Sequence, residues 1–323
     1  MNMFWRRNLL FLFAVAAVII GVYFFGVTRL PQVKIGAGEP LAPNGFLAHV
    51  VEKYKFDERN GVDLEFVFTD PIENQRLFRE KEVDLAWTPL LTAARYVVDG
   101  VLDARIIGPL ENAFIVYAVR ADSPFQSFED LRSAKFGSLP KTAASFDLTV
   151  LQMRKMGLDP EQDFKVTFSN YPELKQFLLE GTVDFIAVHL GQVWELFKEK
   201  KVRHVASLEE LWEKATGRKF PFIALTTTQE WLDANPGLDK KVRAALTDAA
   251  KYVEQNPGIW EAEKSYLKIE DSAELEEFKK QYAQYVIGTS WDPGDIDNIR
   301  YLYNEATLNG LLPEFNADRV VVP

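Results

Sequence analysis

Cysteine is absent from all 323 residues. That absence excludes disulfides, thiolate metal centres, a cysteine nucleophile and a lipidated-cysteine anchor together. Histidine is almost as scarce, and His49, His189 and His204 lie far apart with no metal-ligand spacing. Neither a Gly-x-Gly-x-x-Gly turn, a P-loop nor a Gly-x-Ser-x-Gly elbow occurs, so the sequence assigns no cofactor, no metal and no catalytic residue. Basic side chains are outnumbered as well, 37 Lys and Arg against 47 Asp and Glu, for a net charge of −10. A phosphate backbone would meet net repulsion, which argues against a nucleic-acid partner.

What is present begins with a run of nineteen uncharged, mostly apolar residues from Leu9 to Val27. As a helix it spans about 28 Å, close to the hydrocarbon thickness and longer than a secretory h-region. Arg6 and Arg7 precede it, so the positive-inside rule keeps the N-terminus cytoplasmic and exports the rest. The aromatics of Tyr23-Phe24-Phe25 stand where a signal peptidase wants small residues. Residues 1–28 are therefore expected to be a cytoplasmic tip and membrane anchor, with a cleaved signal peptide as the alternative.

Beyond residue 28, strand-like runs alternate with helical stretches, the signature of βαβ units. One series is Val33–Ala37, Asp63–Phe68, Val83–Trp87 and Arg105–Ile107; the second is Lys135–Gly137, Lys165–Phe168, Val183–Val188 and Val202–Val205. Asp70 and Asp84 find counterparts in Asn170 and Asp184, each pair 100 residues apart. Two similarly built α/β lobes follow, with Asp84 and Asp184 read as structural strand-entry residues. Phe114–Arg120 and Phe222–Thr226 are the expected crossovers, giving lobe 1 as 29–113 plus 225–323 and lobe 2 as 114–224. The helices after residue 228 are expected to pack on lobe 1, and Pro89 to open a helix capped by Thr88.

In open parallel sheets, ligands bind beyond the carboxyl ends of the strands. Those loops are Gly38–Asn44, Thr69–Pro71, Thr88–Pro89, Pro109–Asn112, Ser138–Thr142, Ser169–Tyr171 and His189–Gly191. Ser138, Lys141 and Thr142 precede a helix start suited to an anionic group, the alternative being a cap and a solvated lysine. Trp87, Phe146 and Tyr171 are candidates to stack on a flat ligand, or core aromatics. His49 and His204 are read as structural, and His189 as either a ligand contact or a core residue.

The fragments Lys34-Ile35-Gly36, Gly61-Val62-Asp63-Leu64-Glu65, Lys81-Glu82-Val83-Asp84-Leu85 leading to Thr88-Pro89, Ser127–Arg132 before Lys135–Ser138, Met156-Gly157-Leu158-Asp159, Gly181–Phe185 and Asn235-Pro236-Gly237-Leu238 occur in order. Over residues 32–260 the chain resembles the solute-binding proteins of ABC importers, in the group that takes up sulfonates, taurine, nitrate and thiamine-precursor pyrimidines. The resemblance implies a two-lobed type II periplasmic-binding fold with two hinge crossovers, closing on one small organic solute and delivering it to a permease and its ATPase. Matched loop by loop, it implies Asn44, Asp70, Thr88, Asn112, Ser138, Thr142, Tyr171 and His189 as ligand contacts. Two rivals are a pyrimidine synthase of thiamine biosynthesis, which shares the fold but has a cysteine-rich motif that this chain lacks, and a membrane-anchored sensor working through a partner.

Overall fold

The computed structural model describes residues 29–282, 288 and 290–323. The expected anchor, residues 9–27, lies outside them. Among the described residues no helix is long and apolar enough to cross a membrane.

The first series forms β1 (Gln32–Ala37), α1 (Pro43–Tyr54), β2 (Asp63–Phe68), α2 (Pro71–Arg79), β3 (Leu85–Pro89), α3 (Leu90–Val98) and β4 (Ala104–Asn112). The chain then crosses into β5 (Ile115–Arg120), β6 (Lys135–Ser138), α4 (Ala144–Lys155), β7 (Lys165–Phe168), α5 (Tyr171–Glu180), β8 (Phe185–His189), α6 (Leu190–Lys198), β9 (Val202–Ser207) and α7 (Leu208–Thr216). It returns as β10 (Pro221–Thr228) and closes with α8 (Leu238–Gln255), α9 (Ser272–Tyr282) and α10 (Pro293–Leu308).

Two five-stranded sheets result, β2-β1-β3-β10-β4 and β7-β6-β8-β5-β9, with one topology. In each, the fourth strand of that order arrives from the other lobe and runs antiparallel to both neighbours. β3 is buried along its whole length and β8 nearly so, which is why both read as unbroken apolar runs.

The internal echo has a physical basis. Asp84 accepts from the Lys34 N–H at 2.8 Å while its own N–H donates to the Lys34 carbonyl. Asp184 repeats both bonds with Lys135. Asp70 and Asn170 cap α2 and α5 through backbone N–H groups of their first turns, with Pro71 and Pro172 filling the positions that need no donor.

Three expectations are modified. β10 lies wholly in the first sheet and begins at Pro221, so residue 224 falls inside a strand and the return crossing precedes it. There the Ala113 N–H donates to the Phe220 carbonyl at 2.9 Å, tying the two crossovers together. Pro89 is the last residue of β3 and itself the cap of α3, because pairing with Ile223 carries the strand through it. Of the late helices, α8 packs on lobe 1, but α9 reaches lobe 2, where Phe278 meets Trp194 of α6 edge to face with ring centroids 5.0 Å apart. On another face Lys155 of α4 pairs with Glu305 of α10 at 2.6 Å, and Asp147 of α4 with Arg95 of α3 at 2.7 Å.

Candidate functional site

A cleft of about 300 Å³ opens between the lobes at the carboxyl ends of the central strands. Lobe 1 supplies the loop from Gly38 to Ala42, Asn44 of α1, Thr69, Asn74 and Gln75 of α2, and Trp87 and Pro89 of β3. Lobe 2 supplies His189, Gly191 and Gln192, the first crossover supplies Phe114, and β10 supplies Phe222. Leu267 and Lys268, from the segment between α8 and α9, complete the rim.

His189 sits among three aromatic rings, with centroids of Phe114 at 4.6 Å, Tyr171 at 5.4 Å and Phe222 at 5.8 Å. Burial pushes its pKa down to about 4, so it faces the cleft as a neutral imidazole whose buried Nε2 has no partner. Asn44 is fixed from two sides. Its Oδ1 accepts the Gly38 N–H at 2.6 Å and its Nδ2 donates to Glu111 Oε2 at 2.8 Å. Glu111 is fully buried, and desolvation raises its pKa to about 8 despite that hydrogen bond. Near neutral pH burial therefore favours the protonated form, which carries no negative charge behind the cleft.

Asn74 donates to the Trp87 carbonyl at 3.0 Å, while its buried Oδ1 and the Trp87 Nε1 have no partner. Both residues line the cleft, and the Asn74 Oδ1 lies against Gly36 of β1. Three helices that start at the cleft, α1, α3 and α6, have no side-chain cap. Their uncapped first-turn N–H groups, other than that of Leu190, which donates to the Phe114 carbonyl at 3.0 Å, leave partial positive charge at the mouth. Lys268 is the one ammonium among the lining residues and Glu39 the one carboxylate.

Of the residues named from sequence, Asn44 and His189 line the cleft. Asp70 lies beside the lining residues Thr69 and Pro71, but its carboxylate is spent on the N–H groups of Ile72 and Glu73. Thr88 is fully buried between Trp87 and Pro89. Asn112 opens instead onto a separate depression with Arg218, Lys219 and Asn298. Ser138 is buried, Lys141 pairs with Glu161, Thr142 is exposed outside the start of α4, and Tyr171 reaches the site only through His189. Trp87 lines the cleft, whereas Phe146 is core, edge to face with Phe168 at 5.1 Å. Sequence reasoning missed Asn74, Gln192 and Lys268. An amide inside the apolar phase of a helix was the available signal for Asn74; Lys268 had none, because its segment joins the site only through tertiary packing.

Two lobes of one strand order, joined by paired crossovers with a cleft between them, define a periplasmic-binding-protein architecture. The sequence model of the family described as "ABC transporter, phosphonate, periplasmic substrate-binding protein" matches residues 54–280, and the chain belongs to that family. No curated protein matches it by sequence. Among solved structures, it is similar to the periplasmic aliphatic sulphonate binding protein SsuA from Escherichia coli, with a TM-score of 0.68, 15% identity, and 90% of this chain and 97% of that chain covered. The alkanesulfonate-binding protein SsuA from Xanthomonas axonopodis pv. citri bound to MOPS gives 0.68, 16%, 90% and 98%. The nitrate-binding protein NrtA from Synechocystis PCC 6803 gives 0.65, 14%, 91% and 86%. The family is one of extracytoplasmic binding proteins of ABC importers, and these neighbours share its fold.

Proposed function

We propose that the chain is the substrate-binding component of an ABC importer, taking a small organic anion of the sulfonate or phosphonate kind and presenting it to a permease driven by an ATPase. The observation that carries this reading is the cleft itself: uncapped helix starts and amide side chains for an oxyanion, beside apolar walls of Leu41, Trp87, Phe114 and Phe222 for an organic body. Ligand contacts made with both lobes only when they are shut would stabilise the closed form by the differential affinity. Asn44, Asn74, Trp87, His189 and Gln192 are the contacts we assign. No reaction is assigned to the site, whose role is binding and release.

The unpartnered Trp87 Nε1 and Asn74 Oδ1 favour one second reading, a flat heterocycle of the pyrimidine kind with a donor and an acceptor on one edge. A thermal-shift screen of the full chain in detergent decides between them. Alkanesulfonates or alkylphosphonates are expected to raise the melting temperature, since a ligand at a hundred times its Kd adds about 2.7 kcal/mol. Stabilisation by pyrimidines alone would select the second reading. Turnover of a compound without stabilisation by any class would favour an enzyme.

A further inference from the structure

We propose that Lys268 supplies the charge that meets the anionic headgroup, and that Glu263 positions the segment carrying it. The proposal rests on the organic-anion reading above and names the residue that would make that site select an anion over a neutral molecule.

Three titratable side chains line the cleft: Glu39, His189 and Lys268. Burial among the aromatic rings favours the neutral form of His189, which leaves Lys268 as the one cation among the described lining residues. Its ammonium has no carboxylate within 4 Å among the described residues, unlike Lys53, Lys155, Lys198 or Lys219, each of which is paired. An ammonium that no carboxylate neutralises within 4 Å, on a wall whose one other charged side chain among the described residues is Glu39, is available to a ligand.

The backbone that carries it is held in place. Leu267 and Ile269, on either side, are both buried. The N–H groups of Leu267, Lys268 and Ile269 donate to the carbonyls of Glu263, Ser265 and Lys264. Glu263, itself 2% exposed, accepts from three side chains of α1: Tyr54 at 2.7 Å, Lys53 at 2.7 Å and His49 at 2.8 Å. The Tyr266 ring stacks on His49 with centroids 3.7 Å apart, and its hydroxyl donates to the Gly45 carbonyl at 3.2 Å. The same helix that offers Asn44 to the cleft therefore clamps the segment that offers Lys268. A buried carboxylate with three donors fixes a geometry that packing alone would leave loose.

Calorimetric titration of the full chain in detergent with butane-1-sulfonate and with its neutral isostere butane-1-sulfonamide tests the proposal. The wild type is expected to prefer the sulfonate by tenfold or more. Lys268→Met should lower sulfonate affinity about tenfold while leaving sulfonamide affinity within twofold, and Lys268→Arg should restore most of the preference. Glu263→Gln should reduce the preference by an intermediate factor; if it fails to fold, Tyr54→Phe removes one of the three bonds and reads out the same effect. An unchanged preference in Lys268→Met, or a wild type that binds both compounds equally, overturns the charge assignment while leaving the binding reading intact. A lost preference in Lys268→Met but an unchanged one in both Glu263→Gln and Tyr54→Phe overturns the positioning role. A wild type that binds neither compound overturns the organic-anion reading itself.

Discussion

Glu111 shows how one buried carboxyl serves a site it does not touch. Its Oε2 takes one N–H of Asn44 and so fixes the amide plane, while its other oxygen, Oε1, has no partner. Because burial raises its pKa to about 8, the native state holds a proton that the unfolded chain, titrating near 4.5, has already released. Stability tied to this group is therefore full below about pH 4.5 and is lost as pH rises to about 8. Glu111→Gln removes that titration. Its melting temperature is expected to gain on the wild type steadily from pH 5 to pH 8 in parallel thermal melts, and a constant difference across that range would show that Glu111 does not titrate there. The neighbouring constraint is steric: a Cβ on Gly36 would lie 1.9 Å from Asn74 Oδ1, so this cleft amide keeps its place only because β1 carries no side chain there.

Between elements, the decisive contacts are those that join lobe 1 to lobe 2. The loop before α1 and the start of α6 meet where a Cβ on Gly191 would stand 3.1 Å from the Leu41 carbonyl oxygen. That leaves no room for a branched side chain when the lobes are shut. Gly191→Val is expected to weaken ligand binding by tenfold or more through hindered closure, with a melting temperature in the absence of ligand within about 2 °C of the wild type. Titration calorimetry beside thermal melts separates the two effects, and an equal affinity would show that closure tolerates the added bulk. The crossovers are suited to bending, because they are short and pinned to each other at Ala113 and Phe220. The pairs of α4 with α3 and α10, and of α9 with α6, must either follow that motion or limit it.

For the whole molecule, location and mechanism depend on each other. A binding protein freed into the periplasm diffuses to its permease, whereas one held by residues 9–27 has its permease encounters confined to the membrane plane. An uncleaved anchor is expected to leave the full-length protein in the membrane pellet after a carbonate wash, as an immunoblot would register. A shortened species in the soluble envelope fraction would show cleavage instead. The acidic composition, −10 over the chain, makes the Lys268 ammonium a local feature of the cleft rather than of the surface.

The sequence by itself determined the two α/β lobes, since period-two apolar runs alternating with helical spacing admit little else, and the 100-residue echo of Asp70 and Asp84 placed matching caps and strand entries in both. It also located the cleft's lips, because loops at strand ends are legible from turn chemistry, and it named Asn44, Trp87 and His189. Only the tertiary structure decided which of those loops face one another. Asp70 proved to spend its carboxylate on a helix start, Asn112 to face a different depression, and Lys141 to pair with Glu161. Local pattern records whether a residue can cap, pair or stack. Which partner it meets depends on how two lobes and a segment over 200 residues away pack, and Lys268 enters the site by that route alone.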